Sequence, residues 1–150
     1  MEQVVVTEEI KRIIPQIWSF SLGSELSERE ERIDSYLDGY LGRITISGAW
    51  QGEVLIASTA SMVEDIAQRM YHLQEGEAPI EEQLKDVLRE ITNMTAGNLK
   101  TVLPEPCTLG IPEVNHITCE NPFAHLKLQT VAELHFANSC GFFTVLVGRP

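Results

Sequence analysis

Large apolar residues recur at helical spacing near the start of the chain, which predicts an amphipathic helix. Thr7 followed by Glu8 and Glu9 is typical of a helix start. The apolar positions that follow are Ile10, Ile13, Ile14, Ile17 and Trp18. Pro15 is expected to kink this helix. The stretch 24–34 is charged and almost free of large apolar residues, so we expect an exposed loop or a short frayed helix there.

Two later stretches alternate between apolar and other residues, which predicts β-hairpins. In the first, alternating apolar residues flank a turn at 48–52; they are Ile44, Ile46, Val54 and Ile56. The second hairpin turns at 138–141. Its alternating set, apolar except for Thr130, is Leu126, Leu128, Thr130, Ala132, Leu134, Phe136, Phe143, Val145 and Val147, and the residues between are His125, Lys127, Gln129, Glu133 and His135.

Two more helices are expected between the hairpins. The first runs from residue 59 or 61 to 71, with a buried stripe formed by Met62, Ile66 and Met70. The second covers 79–103, with Pro79 in its first turn and Pro104 ending it. It is the longest predicted element.

Helices and hairpins interleave without regular βαβ crossovers. This order favours an α+β fold, in which long helices pack on one side of a mixed, mostly antiparallel sheet. A length of 150 residues with 43% hydrophobic residues suits one core. We therefore expect a single globular domain over 1–150.

Charge and apolar run lengths exclude several classes of partner. The net charge of −11 opposes nucleic-acid binding, which requires clustered Lys and Arg. We find no secretory leader pattern and no apolar run long enough to span a bilayer. A cytoplasmic protein that does not bind membranes is the expectation.

The cysteines and histidines do not form a recognisable metal or disulfide pattern. Cys107, Cys119 and Cys140 are an odd number and contain no CxxC pair, which favours a reducing compartment. The four histidines have no HExxH or i,i+4 spacing. We therefore predict no metal site in this chain.

The longest predicted helix has two different faces. An advance of about 100° per residue places one set on a buried face: Leu84, Val87, Leu88, Ile91, Thr95, Leu99 and Val102. Asp86, Glu90, Asn93 and Gly97 fall nearly opposite. Because residues three apart are neighbours on a helix, Glu90 and Asn93 present a carboxylate beside a carboxamide. A plain solvated face is one interpretation, but Asn and Gly are poor helix formers at exposed positions, which favours a functional surface.

The residues also match a known motif. The stretch Glu90-Ile-Thr-Asn93-Met-Thr-Ala-Gly97-Asn98-Leu-Lys100 resembles the ExxNxxxGN signature of the CheC/FliY/CheX phosphatases, and Asp86 fits the position that opens the longer motif. The resemblance runs from Ile44 onward and includes the Gly-Ile-Pro-Glu-Val stretch 110–114. Pro112 lies nearer Asn93 than the family pattern has it. The earlier helix lacks ExxN after Glu64, which implies one active site, as in the CheX branch.

The resemblance implies a phosphatase that hydrolyses the aspartyl phosphate of a CheY-like response-regulator receiver domain. Asn93 would orient the attacking water and Glu90 would pair with a lysine of the receiver. Mg²⁺ would come with the receiver, so no cofactor of this chain is implied. Asp86 and Gly97 would contact the partner, although an ion pair of Asp86 with Arg89 or Lys85 is an alternative.

The resemblance also implies a homodimer that pairs through its sheets. A different interpretation of the same fold is a non-catalytic adaptor that binds a receiver or senses a ligand. Intact Glu90 and Asn93 favour the enzyme.

Overall fold

A computed structural model of the chain describes residues 1–21, 25–30, 36 and 38–150. The described residues form three α-helices: α1 at Glu2–Gln16, α2 at Ala60–Met70 and α3 at Glu81–Leu99. A π-helical segment, Ile17–Ser21, continues α1, and a 3-10 turn, Lys100–Val102, continues α3.

In the part of the chain that the structure describes, seven strands form one sheet. They are β1 at Ser27–Arg29, β2 at Gly39–Gly48, β3 at Gly52–Thr59, β4 at Cys107–Leu109, β5 at Glu113–Ile117, β6 at Gln129–Asn138 and β7 at Gly141–Arg149. Their order is β1-β6-β7-β3-β2, and both β4 and β5 pair with the outer side of β2. Every strand pairing in the described residues is antiparallel. Both predicted hairpins are present, as β2–β3 and β6–β7. The second differs at its start, because β6 begins at Gln129, after Leu126 and Leu128, and a register shift between Thr130 and Ala132 leaves Thr130 exposed.

The main core lies between the helices and one face of the sheet. All three helices contribute to one buried cluster, which takes alternate residues from the strands: Ile44, Ile46, Val54, Ile56, Phe143, Val145 and Val147. Trp18 stacks on Phe143 with 4.5 Å between ring centroids. Because the helices share this cluster, they cover the same face of the sheet, and the predicted α+β arrangement is confirmed.

The opposite face carries a smaller cluster around Tyr36, Ala57 and Ile117. His135 is buried there, with Nδ1 2.7 Å from the Thr144 hydroxyl. The predicted alternation put His135 on the face opposite to the apolar set, and the structure confirms this. The sequence pattern did not indicate that residues on this second face are buried too.

The boundaries of α1 differ from the prediction. The helix begins at Glu2 and not at Thr7. Val6 is fully buried and extends the apolar stripe by one turn, while the Glu2 carboxylate accepts a hydrogen bond from Trp50 Nε1 at 2.5 Å. These tertiary contacts stabilise the helical conformation of the residues before Thr7, which the sequence pattern did not include in the helix. Pro15 lies near the helix end, directly before the π-helical segment.

The predictions for the start of α3 and for the stretch 24–34 also differ from the structure. Pro79 precedes α3, which begins at Glu81 after the cap residue Ile80; the Ile80 N–H donates to the Gln83 side chain at 3.0 Å. In 24–34, residues 24 and 31–34 lie outside the described residues. Residues 27–29 form β1, which is exposed as expected but is a strand, because it pairs with β6. The helix α2 agrees with its prediction to within a residue at either end.

Candidate functional site

The helix α3 presents the two faces that its sequence predicted. The predicted buried positions are Leu84, Val87, Leu88, Ile91, Thr95 and Leu99, and Thr92 and Ala96 are buried beside them. Val102 is only partly buried, because α3 has already given way to the 3-10 turn. Glu90, Asn93 and Gly97 are exposed and Asp86 is half-buried. The opposite side of α3 is therefore open to another molecule.

Close packing fixes α3 on the sheet. Gly42 of β2 lies directly beneath Thr92, so that a Cβ at Gly42 would overlap the Thr92 hydroxyl. That hydroxyl donates to the Leu88 carbonyl at 2.7 Å, and the Thr95 hydroxyl donates to the Ile91 carbonyl at 2.8 Å. Both threonines thereby satisfy their buried hydroxyls within the helix. Tight packing of the buried face thus fixes the position of α3 and, with it, the position of the exposed face.

Glu90 and Asn93 face a shallow groove of about 560 Å³. One wall is α3, another is the end of α2, and a third is the segment that joins β4 to β5. The lining residues are Met70, Tyr71, Asp86, Val87, Arg89, Glu90, Asn93 and Pro112. Within the described part of the chain, the side chains of Glu90 and Asn93 have no hydrogen-bond or ion-pair partner. The Glu90 carboxylate and the Asn93 carboxamide are therefore available to bind polar groups of another molecule.

Asp86 is already engaged within the chain. It accepts a hydrogen bond from the Tyr71 hydroxyl at 3.2 Å and forms an ion pair with Arg89. Desolvation, then the hydrogen bond to Asp86, raises the pKa of Tyr71 above its ordinary value. Lys85 lies 3.8 Å from Glu81 instead. The alternative predicted for Asp86, an ion pair with Arg89, is confirmed, and its contact with a partner stays a prediction.

Gly97 and Asn98 differ in their surroundings. Nothing lies within 4 Å of the position that a Cβ of Gly97 would occupy, so this part of α3 is bare backbone facing open space. The Asn98 side chain is exposed but donates to the Met94 carbonyl at 2.8 Å. Asn98 is also about 140° around the helix from Asn93 at 100° per residue. Of the two amide side chains, only Asn93 lines the groove.

Sequence reasoning missed much of the groove. Arg89, Tyr71 and Met70 line it, and none was singled out as a site residue. Tyr71 is 40% exposed, but this exposure is a property of the folded chain, and the sequence carried no signal for it. Pro112 was noted only as a motif position. These residues come together through the packing of α2 and the sheet edge around α3, which a periodic pattern does not reveal.

Other parts of the described chain add little to the chemistry. No group of three or more His, Cys, Asp or Glu residues is close enough to hold a metal ion among the residues described. Cys107, Cys119 and Cys140 are free thiols. None of the helices in the described ranges is both long and apolar enough to cross a membrane.

A sequence profile identifies the family of this chain, and solved structures show its fold. The sequence profile described as "Chemotaxis phosphatase CheX" matches residues 40–121, which include Asp86, Glu90, Asn93 and Pro112. None of the curated protein sequences matches significantly.

Solved structures with the same fold include chemotaxis protein CheX from Vibrio vulnificus, at 19% identity and a TM-score of 0.76 over 95% of both chains. A CheX–CheY–BeF3–Mg²⁺ complex from Borrelia burgdorferi matches at 17% identity and a TM-score of 0.72, over 95% of this chain and 97% of that one. The FliM middle domain from H. pylori matches at 11% identity and a TM-score of 0.62, over 99% and 91%. These similarities show the fold.

Proposed function

The chain belongs to the family of the chemotaxis phosphatase CheX, as its motif predicted, and on this premise we propose that it dephosphorylates a CheY-like receiver domain. The observation that carries the proposal is the pair Glu90 and Asn93. Both are exposed, both line one groove, and neither has a partner within the described part of the chain. Unpartnered polar groups on a rigid helix are suited to an external substrate.

The substrate chemistry explains why so few residues are needed. The phosphoryl group of a receiver is carried by an aspartate carboxylate as an acyl phosphate. In hydrolysis a water oxygen attacks phosphorus in line, the bond from phosphorus to the carboxylate oxygen breaks, and inorganic phosphate leaves. The Mg²⁺ that neutralises charge belongs to the receiver, so the phosphatase contributes no metal. Its task is to place the water.

Asn93 is the group that orients this water. A carboxamide carries an acceptor oxygen and a donor nitrogen, so that it can hold a water by both without changing its own charge. Its position on a helix that is packed against β2 through Gly42 and Thr92 limits its movement. A preorganised dipole is most effective under such conditions, because no reorganisation is needed during the reaction.

Glu90 docks the receiver through a lysine. Its carboxylate is one helical turn from Asn93 and is exposed. Asp86 assists indirectly, since it holds the neighbouring Arg89 in an ion pair and so leaves Glu90 uncompensated. Bare backbone at Gly97 permits close approach of the receiver on the same face. The Borrelia burgdorferi complex, in which a CheX of this fold holds CheY, supports a receiver as the partner.

The rival function is a non-catalytic adaptor that binds a receiver or senses a ligand. It is favoured by the shared fold with the FliM middle domain. The same residues would then bind without accelerating hydrolysis. Binding and turnover therefore have to be measured separately.

The deciding experiment follows phosphate release. CheY-like receivers encoded in the same genome are phosphorylated with acetyl phosphate, freed of excess reagent, and mixed with the protein in Mg²⁺. We expect at least one receiver to lose its phosphoryl group faster than it does alone. Binding of a beryllofluoride-activated receiver without faster decay of any phosphorylated receiver would favour the adaptor, and absence of both would contradict the proposal.

A further inference from the structure

The segment that joins β4 to β5 exposes a large apolar side chain. Ile111 is 87% exposed, more than any other large hydrophobic residue in the described ranges except the terminal Met1. An isolated exposed apolar residue is ordinary on a protein surface. Ile111 is different because of the backbone that holds it and the groove beside it.

A β-bulge fixes the position of Ile111. On one side Leu109 pairs with Ile46, and on the other Glu113 pairs with Arg43. Residues 110–112 therefore lie opposite only 44–45 of β2, which leaves one extra residue on the edge. Bulges of this kind bend the strand and redirect a side chain, and they are common next to active sites.

The bulge is tied to β2 at its first residue. The Gly110 N–H donates to the Thr45 carbonyl at 2.8 Å. A Cβ on Gly110 would overlap the Thr45 hydroxyl, so a larger residue would force Thr45 or the bulge to shift. Pro112 limits the backbone on the other side through its ring. Ile111 thus stands on a segment that is ordered before any partner arrives.

The bulge is continuous with the candidate site. Pro112 lines the groove that also contains Glu90 and Asn93. Met70 and Tyr71 line it from the end of α2, where Met70 is partly exposed and Tyr71 is 40% exposed. Apolar surface therefore flanks the two unpartnered polar groups on both sides. Interfaces commonly combine such apolar anchors with polar groups that set register.

We propose that Ile111 is an apolar anchor for the phosphorylated receiver domain, and that the receiver covers the bulge together with the groove. This inference rests on the proposed function, because the same partner must bring its phosphoryl group to Asn93. Charged groups such as Glu90 mainly steer association and register, whereas a desolvated apolar contact prolongs the complex. Ile111 therefore determines receiver affinity and has no part in the chemical step.

The test compares two serine substitutions that introduce no charge. Ile111→Ser removes the anchor, and Val4→Ser is the control, since Val4 is 61% exposed on α1 and does not line the groove. Decay of an acetyl-phosphate-labelled receiver is measured over a range of receiver concentrations. We expect Ile111→Ser to raise the half-saturating concentration roughly tenfold, with kcat within about twofold of wild type. Ile111→Leu should restore the wild-type value, and Val4→Ser should match wild type.

A second measurement needs no substitution. Amide hydrogen exchange of the wild-type protein is followed with and without a beryllofluoride-activated receiver, and we expect added protection at 110–114 as well as along α3. Unchanged half-saturation in folded Ile111→Ser, or protection on α3 alone, would overturn the anchor and leave the proposed function standing. If Ile111→Ser instead dissociates a dimer without changing half-saturation, a second copy covers the bulge and the inference is wrong. If wild type accelerates no receiver, the function and the anchor fail together.

Discussion

The most direct perturbation of the site is Asn93→Ala. It removes the carboxamide and keeps the helix, because Asn93 is exposed and its side chain has no partner within the described residues. Alanine is the better helix former by at most about 0.7 kcal/mol, so the free energy of unfolding should be unchanged or slightly higher. Any loss of activity would then come from a slower reaction and not from unfolding of the protein.

The expected loss is about two to three orders of magnitude in kcat, the scale on which one preorganised polar group stabilises a transition state. This corresponds to about 2.7–4 kcal/mol of activation free energy. The half-saturating receiver concentration should hardly change, since Glu90, Gly97 and the groove remain. A fall in kcat at constant half-saturation is the signature of a group that acts in the transition state.

A matched control lies on the same helix. Asn98→Ala makes the same chemical change at an exposed position, but this amide donates to the Met94 carbonyl and does not line the groove. Single-turnover decay of the phosphorylated receiver is measured for both variants after circular dichroism has verified folding. We expect Asn98→Ala to keep kcat within about threefold of wild type. Wild-type turnover by folded Asn93→Ala would refute water positioning by this residue.

Three further predictions concern docking and assembly. Glu90→Ala should raise the half-saturating receiver concentration as well as lower the rate, because the receiver's lysine loses its partner; a pure kcat effect would argue against a docking role. Gly97→Leu should weaken binding of a beryllofluoride-activated receiver while the melting temperature stays near that of wild type, since the added side chain meets open space in the free protein; equal binding would remove Gly97 from the interface. A homodimer that pairs through a sheet edge should dissociate on dilution in light scattering, and a monomer at every concentration would end that proposal.

Long periodic elements were predictable from the sequence, and short ones were not. The pattern of α3 placed Glu90 and Asn93 on the exposed face because a helix of this length repeats its period several times. The strands β4 and β5 have three and five residues, too few for a clear alternation. They become strands because they pair with the edge of β2, which is distant in sequence, so their own sequence does not predict them.

The groove was predictable only in part for the same reason. Glu90 and Asn93 are close in sequence, so helical geometry alone brings them together. Tyr71 reaches Asp86 from another helix, and Pro112 comes from the sheet edge. Their positions depend on how α2, α3 and β2 pack. Contacts between elements that are distant in sequence form only in the folded chain, so the sequence pattern does not predict them.

The strand β2 supports both parts of the surface. Gly42 seats α3 through Thr92, and three residues further on Thr45 holds the bulge at Gly110. Because one strand fixes both, their spacing is set before any encounter, and under the proposed function no hinge would have to close when a receiver arrives. Association would then need no slow conformational step, and diffusion and electrostatic steering would govern its rate. A phosphatase of this design would respond to a burst of phosphorylated receiver as fast as the two proteins collide in the correct orientation.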